Sequence, residues 1–105
     1  MALFSIQAIK DANAKIGQHY FSPDTMRFFK SRVMQDVFPL EDGALFVTSE
    51  RREGDVRRYT IRRAWDDGDI TTLDGFQSYT SRNGALKAAK KAAANIKSAS
   101  LNNPR

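Results

Sequence analysis

VRRYTIRRAWDDGDITTL, residues 56–73, reads as strand, turn, strand. Successive side chains of an extended strand face opposite ways. Over 56–65, Tyr59, Ile61 and Trp65 therefore share one face with Arg57 and Arg63, while Val56, Arg58, Thr60, Arg62 and Ala64 share the other. DDGD sets a glycine among acids, which supplies positive φ for a hairpin turn, and ITTL is a β-prone return. Moving outward, the same grammar recurs. VMQDVFPL turns at EDG into ALFVTSERR, which turns at EGD into VRRYTIRRAW. The centre of the chain is thus a meander of three or four antiparallel strands joined by short hairpins. In the run ALFVTSERR, Phe46 and Thr48 alternate with Leu45, Val47 and Ser49, so its inward face is not defined by the pattern.

Helices flank the meander. In FSIQAIKDANAKIG, Ser5 is an N-cap, Phe4 and Ile9 occupy the hydrophobic-staple positions, and Gly17 is a C-terminal stop. Ile6, Ile9, Asn13 and Ile16 fall on one stripe. In FSPDTMRFFKSR, Ser22 caps a short helix over 23–30, with Pro23 at its first position, Asp24 complementing the dipole, and Phe21 and Met26 as a staple. Ser81 caps the last helix, where Leu86, Ala89, Ala93 and Ile96 form a narrow apolar stripe and Lys87, Lys90, Lys91 and Lys97 fill an adjoining arc of about 120° by the 100° helical step. The expected architecture is α+β: an antiparallel three- to four-stranded meander with N- and C-terminal helices packed mainly on one face. It forms one domain over 1–98, followed by a frayed tail, 99–105.

Charge is unevenly spread along the 105 residues, whose net charge is +5. The segment 51–63 carries six arginines against Glu53 and Asp55, and 82–105 carries six basic residues and no acid. Such asymmetry favours polyanionic partners. With helices on one side of the sheet, Arg58 and Arg62 occupy an open, basic face. Arginine forks suit phosphates, although strand-borne charge also protects sheets from aggregating, and both readings stay open. Arg51 and Arg52 at the hairpin tip read as solvated. Ser81 and Arg82, at the start of the basic helix, form a second candidate anion site, and Lys87, Lys90 and Lys91 extend it.

Groups for catalysis are sparse. His19 stands alone among aromatics and reads as a packing residue. Asp66, Asp67 and Asp69 lack the terminal Glu of an EF-hand and read as a turn. Folding could bring Asp24 near Asp36 as a carboxylate pair, which spacing neither supports nor excludes. No phosphate-binding loop, dinucleotide turn or nucleophile elbow occurs. The expectation is a non-enzymatic protein with no metal and no cofactor. Cysteine is absent and no apolar run approaches the ~20 residues of a membrane span, so the expected place is the cytoplasm, with no membrane partner. Aromatics interleave with bases, Phe28 and Phe29 beside Arg27 and Lys30, and Tyr59 between Arg58 and Arg62. Stacking on single strands would use such pairs, and core packing uses them more often.

SRNGALKAAKKAAANI resembles the Lys- and Ala-rich final helix of the double-stranded RNA-binding domain, whose order of helix, three strands and basic helix this chain shares in outline. The place of that family's lysine pair holds Arg82 and Asn83, with Lys90 and Lys91 about two turns later, and the helix at 23–30 is extra. HYFSPDTMRFFKSRV, FVTSE and RRYTIRR are similar to a family of small uncharacterised proteins encoded by bacteriophages, over roughly residues 6–95. That resemblance implies an accessory gene product acting in the host cytoplasm and assigns no functional residues. The resulting expectation is a basic face, made by Arg58, Arg62, Ser81, Arg82, Lys87, Lys90 and Lys91, that binds nucleic acid or a host nucleoprotein. The alternative is an inhibitor of a host defence protein, such as a CRISPR effector, acting by protein–protein contact.

Overall fold

The computed structural model describes residues 1–18, 20–28, 31–51, 54 and 56–102, with the side chains of 24, 25, 28 and 100–102 excepted. Two helices, α1 (Ile6–Lys15) and α2 (Pro23–Phe28), precede four strands, β1 (Arg32–Leu40), β2 (Gly43–Glu50), β3 (Arg58–Trp65) and β4 (Ile70–Leu73), and α3 (Arg82–Asn102) ends the order. The strands form one antiparallel sheet in the order β1-β2-β3-β4. The α+β meander expected from the hairpin grammar is therefore the fold. α3 runs past the 98/99 boundary expected for the tail, and His19, Phe29, Lys30, Arg52 and 103–105 lie outside the described residues.

Local chemistry explains the ends of the elements. Ser5 caps α1, its Oγ accepting from the Ala8 N–H at 3.1 Å, and Gly17 takes φ +75 just past the helix. Phe4, expected as a staple, is 74% exposed and clamps nothing. Gly43 and Gly68 mark the two tight approaches. A Cβ on Gly43 would lie 1.9 Å from the Ala64 carbonyl oxygen, and one on Gly68 2.3 Å from that of Ala12. Gly68 also accepts a hydrogen bond from the buried Asn13 amide at 2.9 Å, so the β3–β4 turn is pinned to α1.

The helices do not share a face. Ala85, Ala89 and Ala93 of α3 pack on Leu45, Val47 and Ile61, whereas Ile6 and Ile9 of α1 pack with Ala44, Phe46 and Ala64. Strand alternation puts these two sets of sheet residues on opposite sides. The expectation of helices mainly on one face is corrected accordingly. A 21-residue helix is about 31 Å long, close to the roughly 30 Å of the nine-residue β1. Its alanine stripe lets it lie close along one side, and α1 takes the other. All eight residues of β2 are consequently buried, which is why its sequence showed no single inward face.

β1 is an edge strand and is irregular. Val33 opposes Thr48 and Val37 opposes Phe46, so β1 advances four residues while β2 advances two. The bulge leaves Gln35 and Asp36 exposed, and together with Pro39 it blunts the edge against further pairing. Among the described residues, no helix is long and apolar enough to cross a membrane.

Candidate functional site

Arg62 is not on an open face. The side of β3 that carries Arg58, Thr60 and Arg62 is the α1 side, and Thr60 is fully buried. Only 13% of the Arg62 side chain is exposed, and its Nη2 pairs with Oε1 of Glu50 at 3.1 Å. Nε of Arg62 donates to Thr48 Oγ1 at 3.1 Å, and Nη1 donates to Thr72 Oγ1. Glu50, 1% exposed, also accepts from Thr48 through Oε1 and from Thr60 through Oε2, the latter at 2.9 Å. Thr60 Oγ1 in turn accepts the Gln77 N–H at 2.8 Å. The ring centroids of Tyr20 and Phe76 lie 5.6 and 5.4 Å from the Arg62 guanidinium carbon. Burial raises the Tyr20 pKa above its ordinary value of 10.0, with Glu50 adding to the rise and Arg62 and Thr48 opposing it. A carboxylate this deep is tolerated because each oxygen is hydrogen-bonded and a guanidinium neutralises it. The group is a hydrogen-bonded interior network, and it engages the Arg62 guanidinium inside the fold rather than on an open face.

The remaining expected residues do not converge. Arg58 is half-buried at the start of β3. Arg63, on the α3 side of the sheet, reaches both carboxylate oxygens of Asp42 at 3.3 Å and stacks 3.9 Å from the Trp65 ring centroid. Ser81 caps α3, its Oγ accepting from the Gly84 N–H at 3.0 Å. Lys87, Lys90 and Lys91 are exposed on α3. By the 100° helical step, Lys87 and Lys91 point away from the buried alanine stripe, on the other side of the sheet from Arg62. Lys90 and Lys91 begin about 12 Å along the axis from Arg82. The single patch joining strand arginines to helix lysines does not form.

A different set of arginines does converge. At the end of the sheet where β1 and β3 begin and β2 ends, Arg32, Ser49, Tyr59 and Tyr79 form one cross-sheet row. Tyr59 and Tyr79 exchange backbone hydrogen bonds of 2.8 and 3.1 Å. Arg57 lies along this row, its Nη1 donating to Ser49 Oγ at 2.8 Å. Two shallow concavities open here. One, of about 430 Å³, is lined by Pro23, Met26, Arg27, Ser31, Arg32, Arg51 and Arg57. The other, of about 370 Å³, is lined by Arg32, Val33, Met34, Gln35, Ser49, Arg57, Tyr59 and Arg82. They share Arg32 and Arg57, so five arginines from five chain segments rim a continuous surface. No acidic side chain lines either concavity among the described residues. Arg82 meets Asp36 at 3.7 Å, but both side chains are about half exposed, and a pair of that kind holds weakly.

Of these five, only Arg82 belonged to the expected site, and Arg51 was set aside as solvated. Arg27 and Arg32 lie outside the arginine-rich segment 51–63 that holds Arg51 and Arg57, and no local pattern joins these stretches to one another or to Arg82. The pairing of Arg32 with Ser49 and the return of α3 to the row bring them together.

These features define a small α+β protein with a sheet covered on both faces and one end rimmed by arginine. The chain belongs to a family of unknown function, DUF7447, whose model matches residues 5–90. All five arginines fall within the match, while Lys91 and Lys97 fall beyond it. No curated protein and no solved structure matches the chain. The order helix, three strands, helix implied by the double-stranded RNA-binding resemblance is not the order of this chain, which adds α2 and β4 and splits its helices between two faces.

Proposed function

We propose that the protein is a non-enzymatic nucleic-acid-binding protein whose contact surface is the arginine-rimmed end of the sheet. The observation that carries this reading is the convergence of Arg27, Arg32, Arg51, Arg57 and Arg82 on two concavities that share lining residues. Guanidinium forks match phosphate oxygens in geometry as well as charge. Several of them along one concavity raise the positive potential there. The exposed lysines of α3 add a second, more diffuse attraction that steers encounter rather than fixing register. The resemblance to bacteriophage proteins supports an accessory role in the cytoplasm of an infected host, where nucleic acid is free or carried in a host nucleoprotein. Binding releases counterions, so affinity falls steeply with salt.

The test is fluorescence anisotropy of labelled RNA and DNA at about 50 and 200 mM salt. The expected result is binding at low salt that weakens at high salt and weakens further when Arg32 and Arg57 are both replaced by Ala. Absence of binding to any nucleic acid at low salt would remove the proposal, and a salt-insensitive stoichiometric complex with a host protein would replace it.

A further inference from the structure

The two concavities differ in chemistry. The one beside α2 presents arginines with Pro23, Met26 and Ser31. The one beside α3 adds Tyr59, Met34 and Val33 to a lining that includes Arg32, Arg57 and Arg82. Met34 and Tyr59 are half-buried, pack against the core under α3 and line this concavity between the arginines. An aromatic and an apolar side chain set among guanidinium groups suit a flat, π-faced group attached to a phosphate.

We infer that this recess receives an unstacked base of a single-stranded nucleic acid, with Arg32, Arg57 and Arg82 holding the adjoining phosphates. The inference rests on the nucleic-acid reading above and narrows it to one kind of strand. In a duplex the base faces are stacked on one another, and only their edges and the phosphates are offered to a protein. Duplex binding would leave Tyr59 and Met34 unused. A single strand offers the faces, and stacking on an aromatic side chain is tolerant of sequence. The recess volume of about 370 Å³ is at the size of small-ligand clefts, and its sharing of Arg32 and Arg57 with the neighbouring concavity gives the backbone a continuing path. Lys87 and Lys91, directed away from the sheet, do not join the recess into the broad phosphate-tracking face that a duplex needs.

The experiment compares three labelled probes of about twelve nucleotides against the full chain: a thymidine homopolymer strand, the blunt duplex of the same length, and an abasic strand with the same phosphates. Expected is a homopolymer affinity about tenfold above both the duplex and the abasic strand. In Tyr59→Leu that margin should shrink while duplex affinity stays constant. Equal affinity for homopolymer and abasic strands overturns base insertion and leaves the nucleic-acid reading standing. Loss of all binding overturns both. The abasic comparison uses the unaltered protein, so the inference remains testable if Tyr59→Leu does not fold.

Discussion

Two populations of arginine sit on the same small sheet, and they have opposite surroundings. Arg62 is enclosed by Glu50, by Thr48 and Thr72 of the two neighbouring strands, and by two aromatic rings. Arg32, Arg57 and their neighbours line open concavities, where Arg57 donates to Ser49 and Arg82 meets Asp36 across a half-exposed pair. The difference is one of position along the strands. At mid-sheet a guanidinium on the α1 side is covered, and only a buried acid makes that tolerable. At the end where β1 and β3 begin, arginines line open concavities beside α2 and the start of α3, and stay within reach of a partner. A count of arginines along the chain therefore overstates the binding surface in one place and misses it in another.

The largest effect that would break this contrast is on stability. Glu50→Ala leaves the Arg62 charge enclosed without a counterion and should cost about 3–5 kcal/mol in urea unfolding. Glu50→Leu combined with Arg62→Met should recover most of that loss, because an apolar pair of similar volume suits a buried site. An Arg62 that behaves as an exposed residue, with a loss under about 1 kcal/mol on truncation, would erase the distinction between the two populations. Next, Gly68→Ala should cost about 1–3 kcal/mol, since φ is +105 and the Ala12 carbonyl blocks the Cβ. A loss of this size, read as a shift in melting temperature, checks that the β3–β4 turn is pinned to α1.

At the open end the expected effects are on binding. Arg32→Ala with Arg57→Ala should lower nucleic-acid affinity about tenfold or more and flatten the salt slope by about 2, while unfolding free energy falls by about 1–2 kcal/mol through the lost Arg57–Ser49 bonds. Lys87→Ala with Lys91→Ala should lower affinity only about threefold, chiefly through the association rate, as read by stopped-flow at low salt. A larger loss from the lysines than from the arginines would move the interface from the sheet end to α3. The smallest effect concerns pH. The folded pKa of Tyr20 lies above its unfolded value, so its contribution to stability is complete below about pH 10 and is lost as pH climbs through the folded value. Alkaline unfolding followed by circular dichroism should be less steep in Tyr20→Phe. The residual slope should include Tyr79, whose hydroxyl donates to Asp74 at 2.7 Å and is raised chiefly by that bond.

The hairpins were legible because their signals are local. Glycine among acids fixes EDG and DDGD as turns, and the runs between them supply strands of the observed order. Ser5, Gly17 and Ser81 act on backbone within a few residues, and their capping roles hold in the fold. The burial of Arg62 was not legible, since its partner Glu50 is twelve residues away in sequence and meets it only across paired strands. Nor was the arginine end, because Arg27, Arg32, Arg57 and Arg82 belong to different elements. Alternation within β3 separated its two faces correctly, but the expectation that one of them is open failed because helices cover both.

By itself, then, the sequence determined what acts over one turn or one strand: the meander, the caps, the alanine stripe of α3 and the excess of positive charge. Only the tertiary structure decided which charges are spent inside and which are offered outside. The physical reason is that a helix cap or a hairpin is stabilised by neighbours along the chain, whereas the fate of a guanidinium depends on what covers it and which acid shares its enclosure, and both arrive from distant segments.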